Sequence, residues 1–283
     1  MATDSSIVIV TWNSDDEIGN CLNSIFLEND PAPEIIIVDN ASADRTKEIL
    51  SGYGSKIKVI LNNDNIGYTF ACNQGIEASS GKYVLLLNPD TMIAGDAIQE
   101  LASYLDKNPG AGAIAPQLLN EDLSIQHSVR TLPGYWDMFC EMSLLSAIFP
   151  KSRVFSRWKM RYFDHNTEQE VEQPMAAALM VRKDLLDKVG KMDGRYSMFF
   201  NDVDLCKKLL DSGNKIVFYP EAKIVHSKGK SIYKDRARMI RVWTDDCLKY
   251  FSKHHYNVIL YPLFYLSLKF TSFFRVLFAK SKS

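Results

Sequence analysis

Four short apolar runs crowd the start of the chain: Ile7 to Val10, Ile35 to Val38, Ile57 to Leu61 and Tyr83 to Leu87. None alternates with polar positions. A strand with one wet face alternates, whereas a strand covered on both faces reads as a continuous apolar run. The runs therefore predict a mostly parallel sheet sandwiched between helices. Between the first two, Ile18, Cys21, Leu22 and Ile25 recur at helical spacing, and Ser14 and Glu17 have the spacing of a capping box. Residues 7–38 thus read as a βαβ unit. Further helices are predicted from Asp44 to Leu50, Tyr68 to Ala78 and Ala97 to Leu105, the last closed by Asn108-Pro109-Gly110.

After Pro116 the regular pattern fades. GYWDMFCEMSLLSAIFP, residues 134–150, fits either a core helix or one that faces a groove or a membrane. Order returns with a strand from Met175 to Val181, a short helix in DLLDKVG, a helix from Val203 to Leu210 and a strand from Ile216 to Tyr219. With 283 residues, 46% of them hydrophobic, the chain has material for one composite α/β domain and a tail. The expected division is one domain over 1–231, made of halves 1–115 and 116–231, and a helical tail over 232–283.

The tail carries most of the basic charge. Residues 223–283 hold thirteen Lys and Arg against Asp235, Asp245 and Asp246, which leaves −11 on the rest of a chain whose net charge is −1. Such a balance argues against a general nucleic-acid binder and for a tethering surface. YNVILYPLFYLSLKFTSFFRVLFAK is interrupted by Pro262, Lys269 and Arg275, so it reads as an interfacial helix or a buried terminal helix pair rather than a span. The amino terminus has no basic, apolar leader pattern. Five scattered cysteines without a CxxC pair suit a reducing cytoplasm.

Every early strand ends in small polar groups: Thr11-Trp12-Asn13, Asp39-Asn40 with Ser42, Asn62 to Asn65, and Asn88-Pro89-Asp90. In a parallel α/β sheet the carboxyl ends of the strands form the ligand rim. There is no GxGxxG after the first strand and no GxxxxGK[ST] anywhere, so a backbone phosphate cradle is not expected. A hard divalent cation on a carboxylate can neutralise a diphosphate instead, and Asp90 is placed for that task. Asp39 suits the N–H of a nucleobase edge. In FFNDVDL, two aspartates open a helix beneath paired phenylalanines. One is accounted for by the helix dipole; a carboxylate beside apolar groups gains proton affinity, and Asp202 is the candidate general base. His226 is open between a core, a surface and a ligand role.

IVIVTWN, IIIVDNAS, NNDNIGYTFACNQGI, YVLLLNPDT, FFNDVDL and the later His226 together resemble a family 2 glycosyltransferase of the GT-A type, from Ile7 to Ser231. The resemblance implies inverting transfer of a sugar from a nucleoside-diphosphate donor to an acceptor hydroxyl. Carried over by position, Thr11, Asn13, Asp39 and Asn40 line the nucleoside pocket, Asn65, Gly67 and Asn73 border ribose and diphosphate beside Asn88, and Asp90 with His226 faces a Mg or Mn ion. Asp202 is the base. The family's Glu-Asp-x-Asp-Leu begins here with Asn201, and its Asp-x-Asp has become Asn88-Pro89-Asp90. NPDT with HSVRTLPGYW is most similar to the rhamnosyltransferase-like enzymes of bacterial cell-surface polysaccharide assembly, which places Gln126, Arg130 and Trp136 at the sugar or acceptor. That branch implies dTDP-rhamnose as donor, a glycan or lipid-linked acceptor, and work at the cytoplasmic face of the membrane. A noncatalytic nucleotide-sugar or glycan-binding protein of the same fold is the rival, favoured by Asn201. A nucleotidyltransferase ranks third, for want of a basic glycine-rich loop.

Overall fold

The computed structural model describes residues 4–29, 32–227 and 236–280. The expected boundary between domain and tail at 231/232 lies outside the described residues. Strand β1 (Ser5–Thr11), helix α1 (Ile18–Glu28), β2 (Glu34–Asp39), α2 (Thr46–Ser51), β3 (Lys58–Leu61), α3 (Tyr68–Ala78) and β4 (Tyr83–Leu87) alternate as the sequence predicts. There follow β5 (Thr91–Ala94), α4 (Ala97–Lys107), β6 (Ala111–Leu119), β7 (Val129–Arg130), α5 (Tyr135–Met142), α6 (Leu145–Ile148), β8 (Gln169–Glu170), β9 (Gln173–Pro174) and β10 (Ala178–Arg182). The chain then forms α7 (Lys183–Val189), α8 (Asn201–Asp211), β11 (Lys215–His226), α9 (Arg236–His254) and α10 (Leu260–Lys280).

The sheet runs β3-β2-β1-β4-β10-β6-β11-β5, with β8 beside β11, and β7 and β9 form a separate ribbon. The first four strands are mutually parallel, while β10 is antiparallel to both neighbours and β5 to β11. Successive residues point to opposite faces. Ile7, Ile9, Ile35, Ile37, Leu85 and Leu87 pack under α1 and α4, whereas Val8, Val10, Ile36, Val38, Val84 and Leu86 pack under α3, α7 and α8. Both faces are dry, which is why the runs do not alternate. Gly75 lets α3 sit against the sheet, since a Cβ there would lie 2.3 Å from Val8 Cγ1.

Three local expectations are corrected. Glu17 and Ile18 donate their backbone N–H groups to the Ser14 carbonyl, and α1 has no side-chain cap, so the Ser14/Glu17 pair makes a turn rather than a capping box. Strand β6 runs straight through Pro116, which pairs with Tyr219; the register of β11 shifts just beyond, between Tyr219 and Lys223. A proline that cannot donate to the ladder is tolerated at such an irregularity. Strand β11 accordingly reaches His226 instead of stopping at Tyr219.

A third apolar cluster joins the tail to the domain. Tyr250 and Phe251 of α9, both fully buried, pack with Tyr196, Phe200, Met138 and Phe264. Burial of each such ring contributes about 2–3 kcal/mol. Phe264, Leu268, Ser272 and Val276 form the buried stripe of α10, one every four residues. The tail is thus a docked helix pair whose outer face remains apolar. Pro262 sits in the first turn of α10, where no intrahelical N–H is needed.

Candidate active site

Parallel pairing sets Thr11 beside Asp39 at the carboxyl ends of β1 and β2. Thr11 Oγ1 donates to Asp39 Oδ1 at 3.0 Å, and Ser42 donates both its hydroxyl, at 2.5 Å, and its backbone N–H, at 3.0 Å, to the same carboxylate. Thr11 and Asp39 are completely buried, so they form the floor under the rim rather than its open surface. Asn13 takes a left-handed backbone with φ 53°. Its Oδ1 accepts the N–H of Ala43 at 2.8 Å, and its own N–H goes to Ser42 Oγ.

Asn40 bridges this floor to the next loop. Its Oδ1 accepts Asn62 Nδ2 and the Ile66 N–H at 3.2 and 3.1 Å, and its Nδ2 donates to Asn65 Oδ1 at 2.9 Å. Asn65 Oδ1 also accepts the N–H of Gly67, which precedes α3 at φ 90°, a backbone that favours glycine. Asn73 faces elsewhere: both halves of its amide bond the backbone of Met192, at 2.9 and 3.0 Å, tying α3 to the loop before α8.

Where β4 ends, Asn88 donates its backbone N–H to the Ala177 carbonyl at 2.9 Å. Thr91 is the register partner of His226, and this pairing carries Asp90 against the histidine: Oδ1 lies 3.4 Å from His226 Nε2. His226 Nδ1 is 2.7 Å from Gln126 Oε1, and Gln126 Nε2 donates onward to Asn120 Oδ1 and the His226 carbonyl. A glutamine oxygen can only accept, so Nδ1 carries a proton, and Nε2 is the ring nitrogen that faces Asp90. Gln126 is therefore a buried support for His226. The sequence expectation put it at the sugar or acceptor; here only 1% of it is exposed.

Asp202 opens α8. Its carboxylate accepts Gln173 Nε2 at 3.1 Å and the Val203 N–H at 2.8 Å. Burial raises its pKa above the usual carboxylate range; the Val203 N–H and the Arg130 charge oppose the shift without cancelling it. Arg130, its own pKa lowered by burial, stacks 5.0 Å over the Trp158 ring. Trp136 stands half exposed on α5, with Nε1 donating to the Val154 carbonyl. Tyr68 links the two acidic centres. Burial is the main cause of its strongly raised pKa, Cys72 comes next, and the charges of Asp202 and Asp90 both add to it, so the phenol lies within electrostatic reach of both carboxylates. Tyr68 and Gln173 carry no chemical signature that sequence reasoning could use.

Asn201, the first residue of α8, has a structural role. Its Nδ2 donates to Thr69 Oγ1 and the Met198 carbonyl, and its Oδ1 accepts the Asp202 N–H at 2.7 Å. Phe200, immediately before, has φ 61°, a strained left-handed backbone for a bulky residue that costs on the order of 1–3 kcal/mol. The tail holds it there. Asp246 of α9 accepts the N–H groups of Ser197, Met198 and Phe199, while Trp243 and Tyr250 pack on the Phe200 ring at 5.6 and 5.5 Å. Asp204, fully buried, accepts Lys253 Nζ at 2.5 Å and His254 Nε2 at 2.6 Å. Burial acts to raise its pKa, but the bonds from His254 and Lys253 outweigh it and lower the net value.

Among the described residues no cluster of three or more His, Cys, Asp and Glu side chains could enclose a metal ion. Asp90 and His226 form an open pair at the rim instead.

The sequence pattern of Glycosyl transferase family 2 matches residues 6–186. The N-acetylglucosaminyl-diphospho-decaprenol L-rhamnosyltransferase of Mycobacterium tuberculosis is 26% identical over 242 residues, covering 82% of this chain and 78% of that one. The mannosyltransferase PcManGT of Pyrobaculum calidifontis, solved with GDP-Man and Mn2+, superposes with a TM-score of 0.60 at 14% identity over 99% of this chain and 74% of that one. S. aureus TarS 1-349, solved with UDP-GlcNAc, gives 0.57 at 16% identity over 89% and 73%. The fold is that of the GT-A glycosyltransferases. The chain belongs to glycosyl transferase family 2, and its similarity to a rhamnosyltransferase agrees with the branch the sequence motifs resemble.

Proposed function

We propose that this glycosyltransferase moves a sugar, best matched by rhamnose from dTDP-rhamnose, onto a hydroxyl of a cell-surface glycan or lipid-linked oligosaccharide with inversion at the anomeric carbon. The observation that supports the proposal is the Asp90–His226 pair, with Asp90 and Asp202, a carboxyl of raised proton affinity, both within electrostatic reach of Tyr68. Asp202 takes the proton of the acceptor hydroxyl as that oxygen bonds to the anomeric carbon, and the diphosphate leaves from the opposite face. Arg130 balances the charge of Asp202 and shares the acceptor side with Trp136. The nucleoside rests on the floor built by Thr11, Asp39, Asn13 and Asn40, with Asn65, Gly67 and Asn88 along the rim. Asn73 ties α3 to the neighbouring loop.

A Mg or Mn ion fits the donor set. Two ligands 3.4 Å apart can flank one cation at about 2.1 Å each, and an imidazole fixed through Gln126 suits a ligand. When bound, the cation supplies charge for the departing diphosphate. The similarity to the mycobacterial N-acetylglucosaminyl-diphospho-decaprenol L-rhamnosyltransferase supports both a rhamnosyl donor and a lipid-linked acceptor here.

The reaction takes place at the cytoplasmic face of the membrane, with α10 as peripheral anchor. Leu260–Ala279 is, by length and composition alone, apolar enough to cross a membrane, and 22% of that stretch is buried in the fold. A chain cut before Tyr256 that still pelleted fully with membranes would exclude α10 as anchor.

The rival reading, a noncatalytic binding protein, drew on Asn201. The amide's three bonds at the head of α8 give that residue a role compatible with catalysis. Transfer from dTDP-, UDP- and GDP-sugars, with and without Mg or Mn, tests the proposal alongside thermal stability. Ligand at about 100 times its Kd stabilises the fold by about 2.7 kcal/mol. A metal-dependent shift and product with one donor is the expected result; a shift without product, for any acceptor tried, would favour the rival.

A further inference from the structure

Of the large apolar side chains exposed among the described residues, twelve lie between Tyr256 and Phe278, and six more lie on the 136–154 segment: Trp136, Phe139, Leu144, Ile148, Phe149 and Val154. The second group is continuous. Trp136 stacks on Phe139 at 5.5 Å, Phe155 touches both Trp136 and Phe149, and the patch crosses α5, α6 and the turn after them. It abuts the tail, because Tyr135 of α5 packs against Phe264 of α10 at 5.4 Å. It also begins close to the chemistry: α5 starts five residues after Arg130, whose charge acts on Asp202.

Charge decides what covers it. Between Glu141 and Asp164 the chain has Lys151, Arg153, Arg157, Lys159 and Arg161 and no acid. Arg157 pairs with Asp137 and Lys159 with Glu141, but Lys151, Arg153 and Arg161 are exposed without an ion-pair partner among the described residues. Exposed aromatic and aliphatic groups rimmed by unpaired cations match the headgroup region of an anionic bilayer. Another protein surface would have to bring both an apolar face and its own acids.

We propose that the α5–α6 surface is a second footing on the membrane, so that two apolar faces, this one and α10, seat the bilayer against the acceptor side of the cleft. An acceptor carried on a lipid then reaches Asp202 along α5 by lateral diffusion. The choice of acceptor rests on the glycosyl-transfer reading. The membrane contact rests on the surface alone.

The test uses the full chain with vesicles of phosphatidylcholine, with and without phosphatidylglycerol. The triple variant Phe139→Ser/Ile148→Ser/Phe149→Ser should partition about tenfold or more weakly to both kinds. Lys151→Gln/Arg153→Gln should lose about fivefold per cation on anionic vesicles and little on neutral ones. Removal of exposed side chains leaves no cavity, and unchanged melting temperatures check that both variants fold. Transfer to a lipid-linked acceptor in vesicles should fall in parallel, while transfer to a short-chain, water-soluble acceptor stays at the wild-type rate. Wild-type partition by both variants would overturn the footing, as would a patch covered by a second copy, seen as a wild-type dimer that the triple variant dissociates. Loss of transfer to the soluble acceptor by the wild type itself would instead count against the proposed function.

Discussion

Asp246 Oδ2 accepts the backbone N–H of Phe199 at 3.1 Å across 47 residues of sequence, and the N–H groups of Ser197 and Met198 converge on the same carboxylate. Three successive N–H groups around an anion form a nest, and this one precedes the strained Phe200 that sets the direction of α8. Asp246→Ala should cost about 3–5 kcal/mol in urea unfolding, the range for removing one partner of a buried charged contact. It should lower kcat on the order of 100-fold through misplacement of Asp202, with a smaller change in KM for the donor. A kcat loss no greater than the loss of folded protein would reduce Asp246 to a purely structural role.

Asp202→Asn should lower kcat by about 100- to 10,000-fold, the usual contribution of a general base, and leave donor affinity measured by calorimetry unchanged. The base works ionised, so wild-type kcat/KM should fall as pH drops through its pKa, at a pH above the ordinary carboxylate range. The variant should lack that limb. Stability runs the other way. A carboxyl whose folded pKa is raised stabilises the fold when protonated and loses that contribution as pH rises through the folded value. At neutral pH Asp202→Asn should therefore melt higher than wild type.

Asp204 has the opposite sign. Its folded pKa is lowered, so its contribution is complete above the unfolded value of 3.8 and disappears as pH falls from there through the folded value. Urea midpoints across that acid range should drop more steeply for wild type than for Asp204→Asn. At neutral pH the variant should be less stable by about 3–5 kcal/mol, since Lys253 and His254 lose their buried partner.

Gln126→Leu removes the acceptor that fixes the His226 ring. The apparent affinity for Mg or Mn in donor binding should fall about 10- to 100-fold, with Asp202-dependent chemistry restored at saturating metal. Titration of the metal in a donor-binding assay separates the two; an unchanged metal dependence would remove His226 from the metal pair.

The first half of the fold was legible because it obeys one rule. Strands dry on both faces must read as apolar runs, and β1, β2 and β4 do, whereas the edge strand β3 is only half-buried. Strand β6 was missed because Ala111, Gly112, Ala113 and Pro116 carry little side-chain signal, and its place depends on β10 and β11, strands far away in sequence. The positions of Asp90, His226 and Asp202 came through family motifs, but their supports did not. Gln126 and Asn201 looked like ligand contacts or lost acids until their hydrogen bonds were seen. Asp246, Lys253 and His254 read as part of a charged tail because nothing local reveals that a charge meets its partner some fifty residues upstream.

That separation fixes an order of events during synthesis. The loop at 197–200 leaves the ribosome well before Asp246, Tyr250 and Lys253 exist to pin it, so α8 can form early yet lacks the contacts that aim Asp202 until α9 docks. The sheet, whose strands all precede residue 227, is by then fully synthesised. A chain still lacking α9 would carry Phe200 without the ring contacts of Trp243 and Tyr250 and without the anion that gathers the three N–H groups before it.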